Sequence, residues 1–191
     1  EGDQGELSTL SLDEATRIIQ FGMDKWHETI STKEFESVLF FKNHGPMSGG
    51  SIRHPHSQII GLRNYDYHED ITVENMNGWL LHENQDIRIT LSKHPIIGFF
   101  EYNLRFKPDT PAKSITMRLQ QTVRYVLDSL AKYSQSYNYF FYQLEDGYEY
   151  IKVIPRYITT PLYVGYKIPQ TCNDERAAKI LRNITPYFEL K

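Results

Sequence analysis

The stretch Phe40-Phe41-Lys42-Asn43-His44-Gly45-Pro46-Met47-Ser48-Gly49-Gly50-Ser51-Ile52-Arg53-His54-Pro55-His56-Ser57-Gln58 constrains this chain most. An apolar run from Ser37 to Phe41 enters a glycine-rich turn, and the chain resumes as a second extended segment from Ile52 to Leu62. Two extended runs joined this way are expected to pair antiparallel, with the turn at one end of the sheet. In an extended chain, residues two apart point to one face. His54, His56 and Gln58 therefore fall in one row, with Ser51 close by. Gly49-Gly50-Ser51 offers backbone N–H groups that no bulky side chain obstructs, a cradle for phosphate oxygens. Two histidines beside an anion cradle point to phosphoryl or nucleotidyl chemistry. Read by themselves, they suit a metal-ligand pair equally well as a nucleophile with its partner.

The remaining pattern sets the fold class. Ser11-Leu12-Asp13-Glu14 is a capping box, and apolar residues at Leu12, Ala15, Ile18, Ile19 and Trp26 continue one helix face to about Ile30. Residues Asp66 to Asn77 read as a polar linker. Short strands are expected at Trp79–His82, Asp86–Leu91 and Ile96–Arg105. A second helix carries Ile115, Leu119, Val123, Val126, Leu127 and Leu130 at three- and four-residue spacing. Glu145-Asp146-Gly147 turns between strands at Tyr137–Leu144 and Tyr148–Ile154. Pro161–Ile168 reads as extended, and Asn173 caps a last helix running to about Ile184. Strands with intervening helices and hairpin turns predict an antiparallel α+β fold.

Composition narrows function by exclusion. A net charge of −3 argues against a general nucleic-acid binder. No apolar run approaches the roughly 20 residues of a membrane span. The single cysteine, Cys172, allows no intrachain disulfide and no zinc site built on several thiolates of this chain. A reducing cytoplasm is the expected setting.

Asn43-x-Gly45-x-x-x-Gly49-Gly50-Ser51-x-x-His54-Pro55-His56-Ser57-Gln58 resembles the active-site signature of the galactose-1-phosphate uridylyltransferases, in the histidine-triad superfamily. Val164-Gly165-Tyr166 and the run Asp174 to Arg182 resemble two C-terminal segments of that family. The resemblance implies a fold of two histidine-triad-like halves. Residues 1–65 would be the C-terminal part of the first half, its N-terminal strands missing, and 66–191 the second half. It also implies a nucleotidyltransferase or nucleotide phosphorylase acting on a nucleotide-sugar or dinucleotide. His56 would be the nucleophile that forms a covalent nucleotidyl-histidine. Gln58 would bind the phosphoryl oxygens, with Asn43, Gly49, Gly50 and Ser51 on the phosphates. His54 would be a zinc ligand whose partners lie outside this chain, and a homodimer is a further implication. A histidine is nucleophilic near pH 7 because its reference pKa is about 6.5. An amide cannot act as a general acid, so Gln58 suits a leaving group that is already a phosphate.

The departures matter as much. The family's second His-x-His pair is replaced here by Tyr150-Ile151-Lys152, so that metal site is not expected. Lys167 stands where the family has a glutamate that reads sugar hydroxyls, which removes the ground for expecting galactose. His44, Arg53, Arg156 and Lys167 are candidate cleft residues, with a solvated surface role as the competing reading for each. His82 and His94 read as structural, and Tyr67-His68-Glu69-Asp70 with Glu74 as a polar cluster. Two other functions remain open: a nucleotide hydrolase, with water resolving the intermediate, and a nucleotide-binding protein without turnover.

Overall fold

Ser11 opens the first helix as its capping box requires. Its hydroxyl accepts from the Glu14 N–H at 3.3 Å, and the Glu14 carboxylate accepts from the Ser11 N–H at 3.2 Å. The helix α1 runs Leu12–Ser31 and buries Ala15, Ile19, Gly22, Met23 and Trp26. Gly22 is needed there, since a Cβ would stand 2.4 Å from the Phe40 ring. The close approach seats α1 on strand β1, Ser37–His44. The Trp26 indole N–H donates to the Val38 carbonyl at 2.8 Å. Its ring meets Phe141 edge-on at 5.7 Å, and Phe40 stacks on Phe141 at 4.3 Å.

The computed structural model describes residues 5–52, 54–98, 101–130, 132, 135–158, 160–166, 168 and 172–189. After β1 come β2 (Ser57–Leu62), β3 (Gly78–Glu83), β4 (Ile87–Ser92), β5 (Tyr102–Phe106), α2 (Ala112–Leu130), β6 (Ser136–Gln143), β7 (Glu149–Arg156), α3 (Pro161–Tyr166) and α4 (Asn173–Glu189). The strands form one seven-stranded sheet in the order β2-β1-β6-β7-β5-β4-β3. Every neighbouring pair is antiparallel. The antiparallel α+β fold expected from the sequence is the fold observed. Strands from residues 1–65 and 66–191 meet in that sheet along β1 and β6, with Phe40 opposite Phe141 and Asn43 opposite Asn138.

Helices α1, α2 and α4 cover one face of the sheet. The core beneath them includes Ile19, Phe40, Leu104, Leu119, Val123, Ile151 and Ile184. Part of the opposite face lies under the segment expected to be a linker. That segment forms two short turns, Tyr67–Glu69 and Val73–Met76. Tyr67 and Met76 pack there with Leu144 and Tyr150. The Tyr67 N–H donates to the Ser37 hydroxyl at 3.0 Å, and its own hydroxyl donates to the Gln143 carbonyl at 3.1 Å.

Three boundaries differ from the sequence reading. Strand β2 begins at Ser57 rather than Ile52, since Pro55 has no N–H for a ladder. The stretch 96–98 is a loop rather than the start of β5. Its N–H groups, from Ile96, Ile97 and Gly98, donate to the Glu101 carboxylate at 2.8, 2.6 and 3.2 Å. Residues 161–166 are helical rather than extended. Pro161 sits at the first helical position, where its missing N–H costs nothing, and the Thr160 hydroxyl accepts from the Tyr163 N–H at 3.3 Å.

Glu101 is also half of a fully buried ion pair. The Lys152 ammonium donates to Glu101 at 2.9 Å, to the Ser92 hydroxyl at 2.8 Å and to the Asn75 carbonyl at 2.9 Å. All three of its protons are used. Burial pulls the Lys152 pKa below its ordinary value, against the opposing pull of Glu101. The ammonium thereby joins three segments at the position where the sequence comparison leaves no metal site. Removing one partner strands a buried charge, a loss of about 3–5 kcal/mol. Lys152→Met should lower the unfolding free energy in urea by that amount, and Glu101→Gln/Lys152→Met by less.

Candidate active site

Strand alternation divides β1 between two environments. Phe40 and Lys42 turn toward the helices, and Phe41 and Asn43 toward the opposite face. Gln58 pairs with Phe41, which places its amide on the side of Asn43. Asn138 lies directly across from Asn43, and Arg156 closes β7 opposite Ser136. Three residues chosen from the sequence (Asn43, Gln58 and Arg156) thus converge on one face, at the end of the sheet where the glycine turn crosses.

His56 lies two residues before Gln58, half-buried. Its ring Nδ1 sits 2.9 Å from the His54 carbonyl oxygen. A carbonyl only accepts, so Nδ1 carries a proton, and in the neutral ring Nε2 keeps the lone pair. The contact selects the neutral tautomer in which Nε2 is the unprotonated nitrogen. His54 is exposed, with its ring centroid 5.6 Å from that of His56.

The turn before the histidines is built around two left-handed glycines, Gly45 at φ +79° and Gly49 at φ +84°. The Ser48 hydroxyl donates to the Gly45 carbonyl at 2.7 Å, and the Met47 N–H donates to the Ser136 hydroxyl at 3.1 Å. The turn lies against Asn43: a Cβ on Gly50 would stand 3.1 Å from the Asn43 Cβ. The Gly50 N–H, expected in the phosphate cradle, is directed at the Ser48 hydroxyl at 3.4 Å. Ser51 is exposed beside it.

Asn138 escapes the sequence reading. It is buried, and its Nδ2 donates to Asn43 Oδ1 at 2.6 Å and to the Ser48 carbonyl at 3.0 Å. Its Oδ1 accepts from Arg156 at 3.0 Å. The available signal was a lone amide in the aromatic run Tyr137-Asn138-Tyr139-Phe140-Phe141, since a buried amide needs partners.

His44 goes elsewhere. The sequence made it a candidate for the cleft, yet it ends β1 with its ring toward the helices. There its Nδ1 lies 2.9 Å from Glu6 Oε2, and its ring stands 5.0 Å from Tyr137. Lys42 Nζ approaches the same carboxylate at 3.6 Å, and the Tyr137 hydroxyl donates to it. Burial alone would raise the Glu6 pKa, but the His44 bond, the Lys42 charge and the Tyr137 hydroxyl hold it below the usual value. Arg53 and Lys167 fall outside the described residues.

The other histidines have structural partners. His82 packs on Phe188 with ring centroids 5.0 Å apart. His94 lies 3.6 Å from Glu74, and His68 Nε2 bonds the Gln143 carbonyl at 2.8 Å. Among the described residues, no group of three His, Cys, Asp or Glu side chains is placed to hold a metal. The described donors therefore do not by themselves fit a zinc site at His54. Nor, among them, is any helix long and apolar enough to cross a membrane.

Two family models match the chain. Residues 1–65 match the N-terminal domain, and residues 68–188 the C-terminal domain, of a domain of unknown function, DUF4931. A crystal structure of a DUF4931 family protein from Bacillus cereus is 35% identical, with a TM-score of 0.85 over 97% of this chain and 86% of that one. A uridylyltransferase structure is similar at 17% identity and a TM-score of 0.68, over 94% of this chain and 72% of that one. An ADP-glucose phosphorylase from Arabidopsis thaliana, with bound ADP-glucose, is similar at 14% identity and a TM-score of 0.70, over 92% and 67%. No curated protein matches by sequence. The chain belongs to the DUF4931 family, and its fold is the uridylyltransferase-like fold that the histidine motif implied.

Gly45 and Gly49 make separable demands on the turn. Both have positive φ, but only Gly45 is also crowded, its added Cβ falling 2.6 Å from the Gln135 carbonyl oxygen and 2.9 Å from Ser136 Cα. Gly49→Ala should cost about 1–2 kcal/mol of backbone strain. Gly45→Ala should cost more, which urea denaturation of the two variants would measure.

Proposed function

We propose that this DUF4931 protein is a nucleotidyltransferase working through a covalent nucleotidyl-His56 intermediate on a nucleotide-sugar or dinucleotide. The observation that carries the reading is the 2.9 Å contact from His56 Nδ1 to the His54 carbonyl, which leaves Nε2 with its lone pair. The sharing of one face by Gln58, Asn43 and Arg156 supports it. So does the likeness of fold to a uridylyltransferase and to a phosphorylase solved with ADP-glucose.

In the first step Nε2 attacks the phosphorus bonded to the nucleoside. The N–P bond forms as the P–O bond to the second phosphate breaks, and that phosphate leaves as an anion. In the second step an incoming phosphate oxygen attacks the same phosphorus, the N–P bond breaks, and the electron pair returns to Nε2. Negative charge on the phosphoryl oxygens grows in both transition states. Fixed N–H donors meet that charge without reorganising, and Gln58 and Asn43 would supply them. Neither step requires an acid, because both leaving and entering groups are phosphates. A zinc at His54 would draw its remaining donors from outside this sequence, and no step runs through it.

Nucleoside diphosphate glucoses carrying uracil, adenine or guanine, radiolabelled at the phosphate next to the nucleoside, test the intermediate. The wild-type protein should retain acid-labile label from at least one of them, and His56→Ala none. Gln58→Ala should acquire label about 10²- to 10³-fold more slowly, the usual cost of one lost oxyanion donor. Label that survives in His56→Ala would refute the mechanism.

A further inference from the structure

The three polar side chains beside the glycine turn form a chain whose polarity is set from one end. Arg156 is a guanidinium and has only donors. Its bond to Asn138 at 3.0 Å therefore requires the oxygen of that amide on the Arg156 side. The Asn138 NH₂ is then turned the other way, where it meets two acceptors, the Ser48 carbonyl at 3.0 Å and Asn43 Oδ1 at 2.6 Å. The Ser48 carbonyl cannot donate, so it enforces the same orientation independently. With its oxygen engaged by Asn138, Asn43 must direct its own NH₂ away. That nitrogen lies on the side of Gly50, where a modest 3.9 Å would separate it from an added Cβ.

We infer that Asn138 and Arg156 are positioning residues that lock the Asn43 amide with its N–H donors toward the glycine turn, so that this end of the site accepts an oxyanion. An unconstrained asparagine presents either a donor or an acceptor to a ligand. This one presents donors, and the ligand group that fits is acceptor-only, such as a phosphate oxygen. Asn138 is buried, and its Nδ2 ends on Asn43 Oδ1, so it acts through Asn43. The inference takes its ligand class from the nucleotidyl-transfer reading and adds the residues that make the site selective for it.

The test uses ¹⁵N-labelled full chain, with the Asn43 side-chain amide assigned by its disappearance in Asn43→Asp. Addition of inorganic pyrophosphate, ADP or UDP should shift that amide pair in the wild type. Asn43→Asp keeps an acceptor for Asn138 and replaces the outward N–H by an oxygen. Its affinity for pyrophosphate should fall at least about tenfold, the worth of one hydrogen bond to a charged group. Asn138→Asp retains the Arg156 contact but cannot donate to Asn43, and should weaken binding similarly. If that buried substitution prevents folding, Asn43→Asp and the two Arg156 variants decide. Arg156→Lys, which still donates, should bind pyrophosphate more tightly than Arg156→Gln, which can present either end of its amide.

Wild-type affinity in Asn43→Asp, equal affinity in the two Arg156 variants, or an Asn43 pair indifferent to all three probes would overturn the inference. Label on His56 with an indifferent Asn43 pair removes this inference alone. A responsive pair in a protein that never takes up label removes the transfer reading alone.

Discussion

The register of β1 against β6 governs both the core and the site. With Phe40 opposite Phe141, the two rings stack on the helix side and Trp26 closes over them. The same register puts Asn43 opposite Asn138 on the other side. A slip of one residue would exchange the faces, sending Asn43 into the aromatic core and Phe40 into the site. A slip of two would keep the faces but part Asn43 from Asn138. The Trp26 indole, bonded to the Val38 carbonyl, fastens β1 from above and opposes either slip. A single alignment, held by apolar packing, therefore delivers the polar geometry.

Alternation along β1 also explains why neighbouring polar residues serve different ends. Lys42 and His44 gather around the buried Glu6 carboxylate beneath the helices, while Asn43 between them faces the turn. The helix-side cluster anchors the N-terminal segment to the strand that carries the site. On the other face, the Lys152 ammonium and the Glu101 carboxylate satisfy one another and fold the 96–98 loop around themselves. Each of these clusters ties distant segments together, and the one at Asn43 lies beside the glycine turn.

Much of this was legible where the determinants are local. The capping box at Ser11, the Glu145-Asp146-Gly147 turn and the glycine turn before the histidines each declare themselves within a few residues. The histidine motif implied the fold that is observed. What stayed hidden depends on pairing across distance. Asn138 lies 95 residues from Asn43 in the chain, and nothing in its own neighbourhood states which amide it will face. His44, a candidate for the cleft, turns to the helix side because β1 extends through it. The short helix at Pro161 is a different matter: its signals, Thr160 and Pro161, are local and were outweighed by the apolar, aromatic residues that follow.

Strand β2 stands at the margin of the sheet, paired only with β1 among the described strands. Asn43 and Asn138 sit on β1 and β6, strands flanked on both sides. Marginal strands open at lower free-energy cost than interior ones, because fewer hydrogen bonds must break. The site is thus assembled from a stiff wall and a compliant one. The wall carrying the amide donors is braced by the whole sheet, whereas the wall carrying Gln58, with His56 just ahead of it, can yield by fractions of an ångström. In the proposed transfer, a phosphorus gaining a fifth neighbour would need such room, on the side from which the His56 imidazole would approach.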